Sequence, residues 1–247
     1  MTPDDLLKLF DEAAVAVGAA VASIPRDALR GRTERAGQYS LDLVADAAAC
    51  AVLTRARVRI VSEESGIHGD LDAPITVVID PVDGSTNCAR GIAYWATSIA
   101  ALDADGVVCA SVVNQATGSR TTAVRGEGAY RDGIRLRASN ATRVEDSVIS
   151  VAVPPARPWP WKQYRALACA ALALCDVAAG GLDAHVDSGF SLSPWDYLGG
   201  YLACVEAGAV VLEAHGERLV TTDPAARRRI VAAGTQELAE ILREAVA

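Results

Sequence analysis

Apolar residues recur at helical spacing from the start of the chain: Leu6, Leu7, Phe10, Ala13, Ala14 and Val17 form one stripe behind Thr2, Pro3 and Asp5. That pattern predicts a capped helix ending near Ser23 and Pro25. After a polar stretch rich in Arg and Gly, Leu43, Val44, Ala47, Ala51 and Leu53 predict a second helix over residues 41 to 55. The pattern then changes period. Arg57 to Ser62 and Ile75 to Asp80 are β-branched runs bounded by turn formers, which predicts strands. The acidic S-E-E-S-G-I-H-G-D segment between them reads as a loop.

Two strand-like runs between Trp95 and Asn114 flank Asp103-Ala104-Asp105-Gly106, and the Asp-Gly pair marks a hairpin. A second hairpin is expected around Arg125 to Gly133. A strand at Ser147 to Val153, a P-P-A-R-P-W-P-W link and an Ala-rich helix from Gln163 to Leu174 follow. Strands near Ala178 to Val186, Ala209 to Leu212 and Ile230 to Ala233 alternate with helices at Trp195 to Ala207 and Gln236 to Ala247. The expected fold is a layered α/β protein whose hairpins make the sheets mixed. A boundary near residue 146 divides it into residues 1–146 and 147–247.

Composition narrows the function classes. Of 247 residues, 51% are apolar and 22% charged, which excludes a disordered chain. The net charge of −8 disfavours nucleic acid or an anionic membrane as partner. The Arg227-Arg228-Arg229 run reads as a solvated turn. No stretch is long and apolar enough to span a bilayer, and the N-terminus lacks a signal-peptide pattern, so a cytoplasmic location is expected. The six cysteines lack C-x-x-C spacing and are expected as reduced, mostly buried thiols. An acidic protein with an anionic substrate needs local cations, either clustered basic side chains or bound metal.

The segment I-T-V-V-I-D-P-V-D-G-S-T-N carries the chemistry. Pro81 keeps Asp80 extended, so the strand reaches that residue before turning. Gly84 permits a tight turn, and Ser85, Thr86 or Asn87 opens a helix whose free N–H groups suit an oxyanion. Asp80 and Asp83 therefore converge beside an anion site. Two close carboxylates repel unless a cation lies between them, and all-oxygen ligands favour a hard ion such as magnesium. An Asx turn with a helix cap would account for Asp83, Gly84 and Ser85 but leaves Asp80 without a task.

D80-P-V-D-G-S-T-N87 resembles the D-P-[ILV]-D-G-[ST]-[TS]-N signature of the inositol monophosphatase family. S62-E-E-S65 resembles its G-E-E-S loop and P194-W-D-Y197 its downstream W-D motif, in the same order. The resemblance implies a sugar-phosphatase fold of alternating α-β-α-β-α layers and hydrolysis of a small phosphorylated polyol or sugar. It implies two or three magnesium ions per subunit, lithium sensitivity and a homodimer. Glu63, Asp80, the Val82 carbonyl, Asp83 and Asp196 would ligate metal. Gly84, Ser85, Thr86, Asp187 and Asp196 would contact phosphate or substrate. Asp46, Ser85 and Glu63 would be catalytic, with Asp46 matching the family's D-x-V-T-x-x-D pattern and pairing with the Ser85 hydroxyl.

Departures bear on the substrate. The family's G-[ST]-A-A segment stands here as A168-C-A-A171, and two extra residues separate Asp187 from Trp195-Asp196. Inositol, histidinol, hexose, glycerol and nucleotide 3′-phosphates all remain candidates. A-A-L-D103-A-D105-G-V fits the D-x-D-x-[TV] pattern of haloacid dehalogenase-like phosphatases, but the hairpin is the better reading of its Asp-Gly pair. A family member kept as a non-catalytic scaffold is the alternative from another class.

Overall fold

The computed structural model describes residues 1–153, 155, 159–189 and 192–246. The chain opens with α1 (Pro3–Ala22), closed by a capping box between Thr2 and Asp5, and α2 (Ser40–Leu53). Then come β1 (Arg59–Ser62), β2 (Gly66–Gly69), β3 (Thr76–Asp83) and the short α3 (Ser85–Arg90). A meander follows: β4 (Ala96–Asp103), β5 (Gly106–Asn114), β6 (Arg120–Val124), β7 (Gly128–Arg131) and β8 (Ile134–Arg135). The rest comprises β9 (Val148–Val151), β10 (Gln163–Arg165), α4 (Ala170–Ala178), β11 (Ala184–Val186), α5 (Pro194–Glu206), β12 (Val210–Glu213), β13 (Ile230–Ala233) and α6 (Gln236–Val246).

The strands make two sheets, ordered β2-β1-β3-β4-β5-β6-β7-β8 and β10-β9-β11-β13-β12. Both are mixed. β1 pairs parallel with β3 in the first, and β9 pairs parallel with β10 and β11 in the second. Helices α1 and α2 cover one face of the first sheet, α4 and α5 lie between the sheets, and α6 covers the outer face of the second. This is the expected five-layer α-β-α-β-α arrangement.

The middle layer explains its own composition. A helix packed on several sides has no polar face, and eight of the nine α4 residues are buried. Small residues let the layers close. A Cβ on Gly200 of α5 would stand 2.4 Å from Leu174 Cβ of α4, so glycine is required there for the helices to touch.

Three expectations are corrected. The acidic segment after β1 contains β2, because Gly66 and Gly69 adopt positive φ and the intervening residues pair antiparallel with the β1 edge. The helix expected over Gln163 to Leu174 is divided: Gln163–Arg165 is an edge strand beside β9, and Ala168 at φ 53° turns the chain before α4 begins at Ala170. α4 runs to Ala178, so the strand expected from that residue is confined to Ala184–Val186. Much of the P-P-A-R-P stretch lies outside the described residues, while Trp159 and Trp161 are partly buried against the α6 layer. Asp103 and Asp105 flank the β4–β5 turn, where Asp103 pairs with Arg125 at 2.8 Å. All six cysteines are free thiols, and five are buried.

Candidate active site

Side chains three apart on a regular strand point to opposite faces, so Asp80 and Asp83 need an irregularity to converge. β3 supplies one. Asp80 pairs with Ser98 and Asp83 with Ala96, which leaves an extra residue on β3. Pro81, lacking an N–H, sits in this bulge. Its carbonyl accepts the Thr97 hydroxyl at 2.9 Å, and Asp80 Oδ1 accepts the Val82 N–H at 2.9 Å. The chain then turns at Gly84, φ 85°. A Cβ there would meet the carbonyls of Tyr94 and Ala168 at 3.2 and 3.3 Å, so both conformation and space call for glycine. Asn87 fixes the same loops by donating to the carbonyls of Tyr94 (2.7 Å) and Leu167 (2.6 Å).

Parallel pairing of Ser62 with Ile79 carries Glu63 to the side of Asp80. Asp196 arrives on α5, where it completes a capping box with Ser193. Ser98 of β4 holds that helix start by donating to the Trp195 carbonyl at 3.3 Å. Oxygen atoms of Glu63, Asp80 and Asp196 thus lie within 4.8 Å of one another. Asp83 stands beside them, with Oδ2 accepting the Ala171 N–H at 2.7 Å and the Cys169 thiol at 3.2 Å.

These groups line a cavity of about 110 Å³ whose acidic walls are Asp42, Glu63, Glu64, Asp80, Asp83 and Asp196. No Lys or Arg lines it among the described residues. Burial, reinforced by neighbouring carboxylates, pushes the Glu63 carboxyl up to about 7. Burial pushes Asp83 up to about 6, and burial with mutual repulsion raises Asp80 and Asp196 well above the usual carboxylate range. Glu63 and Asp80 share a hydrogen bond. A hard, oxygen-preferring divalent cation fits this donor set, since it supplies the charge the walls lack.

Val82, Gly84 and Ser85 also line the cavity. Thr86 is exposed and accepts the Tyr39 hydroxyl at 3.3 Å. Thr86 does not line the cavity, and neither do two other expected residues, Asp46 and Asp187. Asp46 points away and accepts hydrogen bonds from the Ser62 hydroxyl and the Cys50 thiol. One turn earlier on α2, Asp42 takes the place expected of Asp46: Oδ2 accepts the Tyr39 N–H at 2.8 Å, while the buried Oδ1 has no partner among the described residues. Burial pushes the Asp42 carboxyl up to about 7. Asp187 is fully buried just beyond β11, accepts the Gly189 N–H at 2.9 Å and does not line the cavity. Glu64, held by Arg35 and Gln38, is a wall residue that the motif alone does not single out.

Comparison with known proteins adds to this geometry. Residues 6–247 match the model described as the inositol monophosphatase family. The chain is 35% identical over 231 residues to the "Fructose-1,6-bisphosphatase/inositol-1-monophosphatase" of Archaeoglobus fulgidus, covering 89% of this chain and 88% of that protein. It is 31% identical over 208 residues to "Nus factor SuhB" of Escherichia coli, covering 76% of each. A solved Pyrococcus horikoshii hypothetical protein, described as having similarities for inositol-1 monophosphatase, superposes with a TM-score of 0.90 at 25% identity over 100% of both chains. No helix among the described residues is long and apolar enough to cross a membrane.

Proposed function

Because the chain belongs to the inositol monophosphatase family, we propose that it is a magnesium-dependent phosphomonoesterase acting on a small phosphorylated polyol or sugar. The observation that carries this reading is a buried cavity walled by six carboxylates with no basic side chain on its lining among the described residues. Glu63, Asp80 and Asp196 would hold the metal, and Asp83 and Val82 line the same cavity. Magnesium bound there supplies Lewis-acid charge for the phosphate oxygens and lowers the pKa of water.

The protein's own groups do the rest. The N–H groups of Gly84 and Ser85, where α3 begins, receive phosphate oxygens. Asp42 takes up a proton on its unpartnered Oδ1, with the Ser85 hydroxyl on the same cavity wall. A base whose pKa lies near neutrality is well matched to that task. Tyr39 fixes the orientation of Asp42 by donating its backbone N–H to the other oxygen.

Phosphate release from sugar, inositol, histidinol and nucleotide phosphates, with and without magnesium, tests the reading. Release that requires magnesium and is lost in Asp80→Asn is the expected result. Magnesium binding by calorimetry without release from any ester would sink it. A second reading is a role as a Nus factor, the name carried by the Escherichia coli relative at 31% identity.

A further inference from the structure

A second cluster of metal-ligating side chains stands apart from the acidic cavity, where α2 meets the β1–β2 hairpin. Cys50 lies one helical turn after Asp46, on the same face of α2. Ser65 sits in the turn between β1 and β2, and His68 is on β2, opposite Ile60 of β1. Along β2 the exposed Ile67 points outward and the half-buried His68 points the other way, toward α2. Cys50 Sγ is 3.4 Å from His68 Nε2 and 3.7 Å from Ser65 Oγ, and Ser65 Oγ is 3.1 Å from His68 Nε2. Asp46 Oδ1 lies 3.5 Å from the same sulfur and also accepts the Ser62 hydroxyl.

The sulfur, nitrogen and hydroxyl oxygen form a triangle with the dimensions of one face of a tetrahedral zinc site. With Zn–S of about 2.3 Å and Zn–N or Zn–O of about 2.0 Å, ligand atoms stand about 3.5 Å apart along an edge to sulfur and about 3.3 Å apart along a nitrogen–oxygen edge. Each edge here agrees to about 0.2 Å. Hydrogen bonding explains the convergence less well. Nε2 of a neutral ring carries a single hydrogen or a single lone pair, so it serves either Sγ or Oγ and not both. A cation serves all three atoms at once.

The chemistry of the corners selects the ion. Thiolate and imidazole suit zinc and its soft neighbours, whereas magnesium takes oxygen ligands. Burial, and then the Asp46 carboxylate, push the Cys50 thiol up to about 12. A thiol that stays neutral near pH 7 is a poor nucleophile, which argues against a reactive cysteine, whereas a bound dication deprotonates a coordinating thiol outright. Cys50 and His68 are half-buried and Ser65 is exposed, so an ion from solvent reaches the triangle and water completes the fourth corner.

We propose that Cys50, Ser65 and His68 form a second metal site that takes zinc, separate from the acidic cavity and independent of the phosphatase reading. The thiol gives its proton to solvent as the sulfur–zinc bond forms, and Asp46 keeps the Ser62 hydroxyl. Bound there, the ion ties the turn that carries Glu63 and Glu64 to the helix that carries Asp42, two elements that wall the acidic cavity.

Cobalt(II) is a zinc-like probe whose bond to a thiolate gives a near-ultraviolet charge-transfer band that carboxylate oxygens do not give. Added to protein already holding excess magnesium, cobalt is expected to produce that band, and zinc to abolish it. Cys50→Ser is expected to remove the band. Cys169→Ser, which deletes the thiol beside Asp83, is expected to keep it. The reverse pattern places the ion in the acidic cavity and overturns the proposal, as does a wild-type protein without the band.

Zinc calorimetry in the same magnesium buffer tests the other corner. His68→Gln is expected to weaken binding by at least about tenfold, since loss of even an outer-shell partner costs about 10–100-fold. Melting curves in EDTA check that the variants fold. Zinc is expected to raise the melting temperature of the magnesium-loaded wild type and to leave that of Cys50→Ser in place. An unchanged zinc affinity in His68→Gln overturns the proposal and leaves these side chains as a hydrogen-bonded contact between α2 and the hairpin.

Discussion

Asp83 caps a helix from 88 positions away in the chain: its Oδ2 accepts the Ala171 N–H at 2.7 Å in the first turn of α4. Cys169, the residue at the cap position, makes no side-chain cap bond of its own. One carboxylate therefore serves the acidic cavity and the start of the middle helical layer. Loss of a side-chain cap costs about 1 kcal/mol. Asp83→Ala is expected to speed amide exchange at Ala171 in the first turn of α4, read by hydrogen-exchange NMR.

Asp80→Asn separates folding from activity. Its Oδ1 accepts the Val82 N–H, a bond that an asparagine oxygen preserves. The substitution removes one of the mutually repelling charges of the cluster. The variant without metal is therefore expected to melt above the wild type without metal, to lose the stabilisation by magnesium and to lose more than about 100-fold in kcat/KM. A melting point unchanged or lowered in EDTA would contradict the repulsion argument.

The raised carboxyl groups fix a pH dependence. Glu63 at about 7 and Asp83 at about 6 lie above the unfolded range near 4, and a carboxyl raised on folding stabilises the fold only while protonated. Their contribution is complete below about pH 4 and is lost as pH rises through 6 to 7. In EDTA the melting temperature is expected to fall across that window relative to a magnesium-loaded sample. The gap between the two samples then widens with pH, since protons and metal compete for the same oxygens. Melting curves at pH 5 and pH 7.5 decide it.

Asp42 and Asp46 are expected to part company on substitution. Asp42→Asn keeps an acceptor for the Tyr39 N–H but removes the base, and kcat is expected to fall by about 100-fold or more. Asp46→Ala strands the fully buried Ser62 hydroxyl and is expected to act on the melting temperature, by about 1–3 kcal/mol of stability. Equal losses of kcat at the two positions would count against Asp42 as the base.

That pair also marks where sequence reading stops. Asp42 and Asp46 are one helical turn apart on the same face of α2, so periodicity gives both the same direction and leaves their height undetermined. Height is set by how α2 sits on β3 and β1, a tertiary fact. The D-P-V-D-G-S-T-N run was legible because Pro81 and Gly84 constrain backbone locally, and the element order was legible because helix and strand periods alternate, while the five-layer order came only with the family resemblance. β2 was hidden by two glycines, and the split at Ala168 by an apolar composition that suits helix and strand alike. The buried contact of His185 with Ser150, 3.1 Å across β11 and β9, carried no motif either; it follows from the register of the two strands, which only the folded sheet supplies.

The contact that Gly200 permits against Leu174 has an evolutionary side. Asp83 from the first sheet and His185 from the second line one cavity beside the acidic one, and the alanine-rich α4 lies between the two sheets that carry them. Pocket depth in this protein is then a dimension written in side-chain bulk along α4 and α5. A drift from alanine to valine there would open a wider pocket without touching a single catalytic group, a route by which specificity can change while the chemistry stays fixed.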